Sequence, residues 1–444
     1  MTFQPTSIRA AVAAIRDGRL APLELLERCL AQIGKHEDRL RAWVEIDESG
    51  ARKAAEALGE EAARGELRGP LHGIPLGIKD IIDVADMPTR AGSPLREDHR
   101  AAADAPLVAA LRGAGAIILG KTVTVEFACF DPSPSRNPWN TRHTPGGSSS
   151  GSAVAVAAGM CMGAIGTQTG GSLVRPSTYC GVAACKPTFG TISLDGVVPV
   201  SYHFDHAGPI AQSVADLEVV LRCSMTEEES ARLFPDTQDD PETAAPRLGL
   251  LRQFFIEEAA EPVVALTEAT VEQLRAAGAT IKPISFAGGF QQVRPMHRMI
   301  MAVEAAAYHR RSFAANRAAY GPMIGELLDE GLKIAAVDYA AALAAQRVYR
   351  HRVATLLRKV DALIMPSTDT TAPATLGTTG TPKFQAPWSA AGLPVVSIPC
   401  GTADDGMPAA VQLVGRAREE AALLRVAAWC ERRIGFRQWL ADSG

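Results

Sequence analysis

The sequence has little of what usually marks a nucleic-acid-binding, disulfide-bonded or metal-binding protein. Its 45 lysines and arginines against 49 aspartates and glutamates give a net charge of −4, so it lacks the basic excess of nucleic-acid binders. Its eight cysteines are scattered without a CxxC pair, which argues against the common zinc spacings and favours free thiols in a reducing compartment. We therefore expect a cytoplasmic protein that binds no metal.

One long stretch lacks charge altogether. No Asp, Glu, Lys or Arg occurs from His143 to Val174. A membrane-spanning helix needs about 20 mostly apolar residues, whereas this stretch is crowded with glycine, serine and threonine. The N-terminus carries Arg9, Arg16 and Asp17 and has no sustained apolar core, unlike a secretory signal. The uncharged stretch therefore predicts a buried site with tight turns rather than a membrane segment.

Hydrophobic periodicity predicts helices that alternate with buried strands. Residues 7–36 have the spacing of a helical hairpin, and the apolar runs at 74–82 and 116–119 are typical of buried strands. This alternation indicates an α/β protein whose sheet is covered on both faces. Residues 224–247 are polar and acidic and predict a surface excursion, within a chain (1–444) that we expect to form one domain.

A phosphate-loop pattern, GxxxxGK[ST], occurs at Gly115–Thr122. Phosphate binding by that motif needs backbone amides curled around the phosphate between a strand and a helix. Here the four intervening residues are apolar strand formers, and Val123 and Val125 make a poor helix start. The pattern favours a buried strand beside an active site, with nucleotide binding as the alternative.

Two glycine-rich motifs contain serines that could carry chemistry. The first is PGGSSSGS at 145–152, which is followed directly by the apolar run AVAVAAGM and so differs from a flexible linker. The second is TQTGGSLVRP at 167–176. A serine after two glycines, such as Ser172, can present its hydroxyl while nearby backbone N–H groups converge as an oxyanion hole. A tight turn is the alternative interpretation of this second motif.

A serine nucleophile needs a base, and two kinds are available. His143, His203 and His206 are candidates for a Ser-His-Asp arrangement, although no GxSxG elbow surrounds any serine. Lys79 follows the apolar run IPLGI, and burial would lower its pKa and allow it to act as a neutral base. A structural ion pair with Asp80 or another carboxylate is the alternative role for Lys79.

Taken together, these motifs resemble those of the amidase signature family. The shared segments are GPLHGIPLGIKD (69–80), GAIILGKT with EFA (115–128), NPWN with TPGGSSSGSA (137–153), GTQTGGSLVRP (166–176), CGVAACKPT (180–188), DHAGPIA (205–211) and AGLPVVSIPCG with VQLVGR (391–416). The resemblance covers most of the chain and is weakest over 224–360. It implies the α/β fold of that family, a large mixed sheet covered by helices on both faces.

The resemblance also implies roles for individual residues. Ser172 would attack the amide carbonyl, Ser148 would relay the proton, and neutral Lys79 would be the base. The Gly147–Ser148 peptide is expected to be cis, which is rare outside proline. The oxyanion hole is expected to consist of the backbone N–H groups of Thr169, Gly170, Gly171 and Ser172.

Two positions depart from the common family pattern. Gln168 stands where the family commonly has Asp, and Val174 stands where it commonly has Arg. Arg175 follows instead, three residues after Ser172, in a pattern similar to that of malonamidases, whose arginine at this offset binds a substrate carboxylate. Arg175 is therefore expected either to bind a carboxylate bidentately or to anchor the loop to backbone carbonyls.

The function implied is hydrolysis of the C–N bond of a small amide through an acyl-enzyme, without a metal or an organic cofactor. A malonamate-like amide is the favoured substrate, and aryl or aliphatic amides, carbamates and urea derivatives are alternatives. An amidase-like subunit of an aminoacyl-tRNA amidotransferase complex is an alternative of another class. The expected partner is a small amide, with no nucleic acid and no membrane, and a homodimer is left open.

Overall fold

Strands from both ends of the chain pair into a single mixed sheet. The computed structural model describes residues 7–235 and 244–439. Its strands are β1 (Trp43–Ile46), β2 (Pro75–Lys79), β3 (Ile117–Thr122), β4 (Gly163–Gln168), β5 (Ala183–Lys186), β6 (His206–Ala211), β7 (Arg247–Leu251), β8 (Thr280–Ile284), β9 (Ala362–Pro366), β10 (Val395–Thr402) and β11 (Pro408–Val414). Across these described ranges the 11-stranded sheet has the order β1-β3-β2-β4-β6-β5-β10-β11-β9-β7-β8.

Helices connect most of these strands. They are α1 (Ile8–Arg16), α2 (Pro22–Leu40), α3 (Glu48–Ala63), α4 (Pro106–Gly113), α5 (Ser150–Ala157), α6 (Val174–Cys180), α7 (Val214–Arg222), α8 (Glu227–Leu233), α9 (Glu261–Ala276), α10 (Val293–Asn316), α11 (Pro322–Gly331), α12 (Ala336–Ala354), α13 (Ala386–Ala391) and α14 (Glu420–Ile434). The two predicted helices are present as α1 and α2, but they do not pack as a hairpin, because α1 lies against α7, where the Ile8 N–H donates to Asp216 Oδ1. Ser7 caps α1, and Pro22 occupies the first turn of α2, where its missing N–H costs nothing.

The sheet is covered on both faces, as predicted. Neighbouring strand residues point to opposite faces and join different apolar clusters. Ile117 and Ala164 pack with residues of α2, α3 and α5, whereas Ile118 and Ile165 pack with residues of α1, α4 and α7. The central strands are therefore buried on both sides, which explains their continuous apolar runs.

Parallel pairing brings two strand ends to the same edge of the sheet. β2 pairs in parallel with β4, and Ile78 lies opposite Ile165. Lys79 ends β2 and Gln168 ends β4, so the segments that follow both strands leave the sheet side by side. In α/β sheets, ligand sites commonly lie outside such carboxyl ends.

The phosphate-loop pattern is a buried strand, and the nucleotide-binding alternative is wrong. Gly120 and Lys121 lie inside β3, where Lys121 is fully buried. Its Nζ atom lies 3.0 Å from Asp80 Oδ1 and donates to the carbonyl oxygen of Pro88 at 2.7 Å. No loop is available here to surround a phosphate, and the lysine charge is already paired.

The polar stretch at 224–247 contains one helix, α8. Thr226 accepts a hydrogen bond from the N–H of Glu229, so the TEEE sequence begins a helix with an acidic first turn. Residues 236–243 of the expected surface excursion lie outside the described part of the chain.

The cysteines are all free thiols. Six of the eight are buried, and Cys223 and Cys400 are partly exposed. Among the described residues, no helix is both long enough and apolar enough to cross a membrane.

Candidate active site

Lys79 is buried at the end of β2 and has two hydroxyl neighbours. Its Nζ atom lies 2.6 Å from Ser148 Oγ and 2.7 Å from Thr167 Oγ1. Burial lowers the pKa of Lys79 to about 7, and the nearby Asp205 carboxylate opposes that shift. Asp80 pairs with Lys121 instead, so the suggested Lys79–Asp80 ion pair is wrong. A substantial fraction of Lys79 is therefore neutral near pH 7.

Ser148 lies in a tight loop before α5. The Gly147–Ser148 peptide is cis, as the resemblance implied, and Gly146 has φ +78°, in the left-handed region that favours glycine. A Cβ atom at Gly147 would come within 2.8 Å of Thr379. This backbone course directs the Ser148 hydroxyl towards Lys79.

Ser172 lies in the loop between β4 and α6, and its side chain is largely buried. Gln168 shapes this loop, because its Oε1 atom accepts hydrogen bonds from the N–H groups of Leu173 and Val174, each at 3.1 Å. A neutral amide thus satisfies two free donors at the start of α6. The departure from the family's usual aspartate therefore keeps a hydrogen-bonding role without adding charge.

The residues before Ser172 expose a run of backbone donors. In the described ranges, no protein acceptor receives a hydrogen bond from the N–H groups of Gly170, Gly171 or Ser172. A Cβ atom at Gly171 would come within 2.6 Å of Gln385 Oε1, so a larger residue there would have to displace that side chain. The Thr169 hydroxyl instead donates to Asp205 Oδ1 at 2.5 Å. These free N–H groups line the same cavity as Ser172.

Ser149 joins the two serine loops, a role that the sequence did not indicate. Its backbone N–H donates to the Ser172 carbonyl oxygen at 3.1 Å. Its hydroxyl donates to the Thr167 carbonyl oxygen at 3.2 Å and accepts from the Thr167 N–H at 3.1 Å. The middle serine of the SSS run therefore fixes the distance between the loops.

Arg175 is buried and only partly paired. Its Nη2 atom donates to the Gly147 carbonyl oxygen at 2.7 Å and to Thr379 Oγ1 at 3.3 Å. Its Nε and Nη1 atoms are buried and have no hydrogen-bond partner among the described residues. Burial lowers the pKa of this guanidinium to about 10, and no carboxylate of the described chain pairs with it. Arg175 thus anchors the first loop through one nitrogen and leaves two nitrogens free.

A cavity of about 90 Å³ contains Ser148, Ser172 and Arg175 in its wall. Another part of the wall is the segment 125–130, in which Phe127, Ala128 and Phe130 have φ between 44° and 60°. Such left-handed backbone is costly for residues other than glycine. The segment is held by Glu126, whose carboxylate accepts hydrogen bonds from Ser93 Oγ and from the Gly321 N–H, each at 2.7 Å.

The outer wall comes from α10, in the region where the family resemblance is weakest. The cavity-facing residues of this helix are Arg294, His297, Arg298 and Met301. They follow the i, i+3, i+4, i+7 spacing of one helical face, which is the signal that could have grouped them from sequence. His297 Nε2 lies 3.0 Å from the Thr169 carbonyl oxygen, so this helix also supports the loop that precedes Ser172.

The three histidines proposed as alternative bases do not contact the serine loops' hydroxyls. His143 Nδ1 bonds to the Ala372 carbonyl oxygen, His203 Nδ1 to Glu304, and His206 Nδ1 to the Phe204 carbonyl oxygen. The Ser-His-Asp alternative therefore has no structural support. The described residues also contain no group of three or more histidine, cysteine or acidic side chains arranged to hold a metal ion.

Comparison with known proteins gives relatives along nearly the whole chain. The chain is 33% identical to amidase AmiD of Mycobacterium tuberculosis over 450 residues, which cover 96% of this chain and 93% of that protein. It is 32% identical to a glutamyl-tRNA(Gln) amidotransferase subunit of Chloroflexus aggregans, covering 95% of this chain and 94% of that one.

Solved structures agree with these sequence matches. The native peptide amidase from Stenotrophomonas maltophilia superposes with a TM-score of 0.83 at 32% identity, covering 98% of both chains. The Amidase family model matches residues 24–424. The chain therefore belongs to the amidase family and is an amide hydrolase.

Proposed function

We propose that the protein hydrolyses small amides that carry a carboxylate near the scissile carbonyl, in the manner of a malonamidase. Ser172 attacks the carbonyl carbon, and its proton passes through Ser148 to neutral Lys79. The amine then leaves with a proton returned by the same route, and water hydrolyses the acyl-enzyme at Ser172. The Nζ to Oγ distance of 2.6 Å between Lys79 and Ser148 supports this relay.

The free backbone donors support stabilisation of the tetrahedral intermediate. In this proposal the N–H groups of Gly170, Gly171 and Ser172 bind the oxyanion, and Thr169 completes the loop. Donors that are held in place before the reaction need no reorganisation when the charge develops. The hydrogen bonds of Thr169 to Asp205 and of His297 to the Thr169 carbonyl oxygen limit movement of this loop.

The observation that carries the choice of substrate is the half-paired guanidinium of Arg175. A buried charge with free N–H groups is costly unless a ligand satisfies it. A carboxylate matches the guanidinium in both charge and planar geometry. Because Arg175 is three residues after Ser172 and lines the same cavity, a carboxylate bound there belongs to the acyl part of the substrate.

The test compares malonamate with 3-methylbutanamide, a neutral amide of similar shape. Wild type should prefer malonamate, and Arg175→Ala should lower kcat/KM for malonamate by roughly one to three powers of ten, mainly through KM. That loss corresponds to about 2–4 kcal/mol for breaking a buried charged pair. Arg175→Lys should restore part of the loss, because lysine keeps the charge without the planar fork.

The same variants distinguish carboxylate binding from loop anchoring. Loss of the Arg175–Gly147 hydrogen bond would displace the Ser148 loop and reduce turnover of acidic and neutral amides alike. If Arg175→Ala lowers both activities equally, the malonamidase-like assignment is wrong. Assays with aryl amides, carbamates and urea derivatives would then identify the substrate.

A second candidate is supported by the similarity to amidotransferase subunits. The relative in Chloroflexus aggregans matches about as well as the amidase does. In this case the chain would release ammonia from glutamine within a complex. Efficient turnover of malonamate by the purified chain, with negligible release of ammonia from free glutamine, would favour the first proposal.

A further inference from the structure

The cavity is lined by cations and by no carboxylate. Among its described wall residues, Arg175, Arg294, Arg298 and Lys383 are basic, and none is aspartate or glutamate. The whole chain has a net charge of −4, so this concentration of positive charge is local. A cleft lined by one sign of charge raises the local concentration of oppositely charged ligands.

Two of these cations are held by carboxylates outside the cavity wall. Arg298 Nη2 lies 2.6 Å from Glu330 Oε2, and Lys383 Nζ lies 2.7 Å from Glu258 Oε2. Neither acidic residue lines the cavity. The ion pairs therefore hold Arg298 and Lys383 in the cavity wall, while their carboxylate partners stay outside that wall.

Arg294 differs from both because it has no partner. It is exposed, and its side chain makes no hydrogen bond or ion pair within the described ranges. It lies one turn before His297 and Arg298 on the cavity-facing side of α10. Its charge is therefore available at the mouth, whereas the buried Arg175 lies at the closed end.

The two guanidinium groups differ in exposure, because Arg175 is buried and Arg294 is exposed on α10. In an acyl-enzyme mechanism the acyl group stays bonded to Ser172 while the amine departs towards solvent, the side on which Arg294 is exposed. We propose that the leaving amine of the substrate also carries an anionic group, which Arg294 binds at the mouth. The substrate class is then an amide with a negative charge on both sides of the scissile bond.

This inference rests on the proposed function and is tested by varying the leaving group alone. Two malonamates are compared, one with a carboxymethyl group on the amide nitrogen and one with an isobutyl group of the same shape. Wild type should favour the carboxymethyl substrate by about two- to fivefold in kcat/KM, the range expected for a solvent-exposed ion pair. The preference should fall when the sodium chloride concentration rises from about 0.02 to 0.5 M.

Arg294→Gln should bring the ratio of the two kcat/KM values close to one. Arg310→Gln is the matched control, because Arg310 is exposed on the same helix and does not line the cavity. That control removes the same charge and should leave the ratio unchanged. A wild-type ratio of one or less, or a ratio that Arg294→Gln leaves intact, overturns the inference.

Failure of the inference can be told apart from failure of the proposed function. Loss of the preference for malonamate over 3-methylbutanamide contradicts the Arg175 assignment. The leaving-group ratio is then measured with N-acetylglycine and N-isobutylacetamide, which carry no acyl carboxylate. A normal malonamate preference with no leaving-group preference overturns only the role of Arg294.

Discussion

Two lysines of this protein show why burial alone does not identify a base. Burial lowers the pKa values of both Lys79 and Lys186 to about 7. Lys186 Nζ donates to the carbonyl oxygens of Leu393 and Pro187, at 2.6 and 3.1 Å, and lies away from the cavity. Lys79 contacts the hydroxyl of Ser148, which lines the cavity. Of these two lysines, Lys79 is therefore the one that can exchange a proton with a cavity hydroxyl.

The pKa of Lys79 predicts the pH dependence of activity. A lysine base must be neutral, so kcat/KM should fall about tenfold per pH unit below about pH 7 and level off above it. Steady-state kinetics between pH 5 and 9, in buffers of constant ionic strength, measure this profile. Activity that is maximal near pH 5 would contradict a neutral-lysine base.

Asp205→Asn provides a control of known sign for this profile. The Asp205 carboxylate raises the pKa of Lys79. Its removal should therefore move the acid limb of kcat/KM to lower pH, even if the lost hydrogen bond to Thr169 also reduces kcat. A limb that moves upward would show that another group limits the rate.

Ser172 is predicted to be the residue that forms the covalent intermediate. Ser172→Ala should abolish turnover and labelling by a fluorophosphonate, because Ser172 directly follows the free N–H groups of Gly170 and Gly171 and lines the same cavity. Ser148→Ala should be less severe, since water can partly replace a relay hydroxyl. Mass spectrometry of the labelled peptide locates the modification, and labelling that survives in Ser172→Ala would exclude this serine.

The sequence could predict these residues because each belongs to a short local pattern. The apolar run before Lys79 indicated its burial, and the glycines indicated the tight loops around Ser148 and Ser172. It could not predict Thr167, which contacts Lys79 only because β2 and β4 are neighbours in the sheet. It also could not separate the anchoring nitrogen of Arg175 from the free ones, which depends on the position of Gly147.

At the scale of elements, the serines of PGGSSSGS (145–152) show how similar residues acquire different roles. Ser148 precedes α5 and contacts Lys79, whereas Ser149 bonds to the Ser172 carbonyl oxygen through its N–H and to Thr167 of β4 through its hydroxyl. Ser152, in the first turn of α5, contacts Thr122 Oγ1 at 2.7 Å and the Ile165 carbonyl oxygen at 3.3 Å. The start of α5 thus places Ser152 against the sheet and Ser149 between the two serine loops.

Ser149→Ala should therefore reduce both stability and catalysis. It leaves the N–H and carbonyl groups of Thr167 without their hydroxyl partner, which should lower the free energy of unfolding by about 1–3 kcal/mol. The loss also loosens Thr167, whose Oγ1 atom lies 2.7 Å from Lys79 Nζ, so kcat should fall more than KM changes. Urea unfolding and steady-state kinetics measure the two effects.

Ser152→Ala is the matched control for that variant. It removes a buried hydroxyl three residues later, which bonds to Thr122 and Ile165, and neither of these bonds to Lys79 Nζ. A similar loss of stability with little change in kcat is expected. Equal kcat values in the two variants would argue against a special role for Ser149.

The α10 helix marks the limit of prediction from sequence at this scale. The resemblance was weakest there, and no motif indicated which residues meet the cavity. The contact between His297 and the Thr169 carbonyl oxygen could not be predicted from sequence, because the two residues are far apart along the chain. Only the packing of α10 over the serine loops reveals it.

At the scale of the molecule, one sheet joins the two halves of the chain. β5 pairs with β10 through the contacts Val395–Lys186, Val396–Cys185 and Ser397–Ala184. The strands before residue 212 thus share a continuous hydrogen-bonded array with those after residue 246. We propose on this basis that the chain folds as a single domain.

A single domain should unfold in one cooperative step. Scanning calorimetry should give one transition, and circular dichroism at 222 nm should follow the same curve as the fluorescence of the buried Trp388 and Trp429. Two separated transitions, or different midpoints for the two signals, would indicate more than one independently folding unit.

The position of α10 also bears on how such enzymes diversify. In the sequence, the residues proposed to break the amide bond fall between positions 79 and 172. The outer wall of the cavity comes from α10, which is more than a hundred positions further along the chain. Selection can therefore alter the mouth without touching the groups that react, because the two are encoded separately. Exchange of this helix between relatives could therefore change substrate preference as a unit, provided that the residue at position 297 still bonds to the Thr169 carbonyl oxygen.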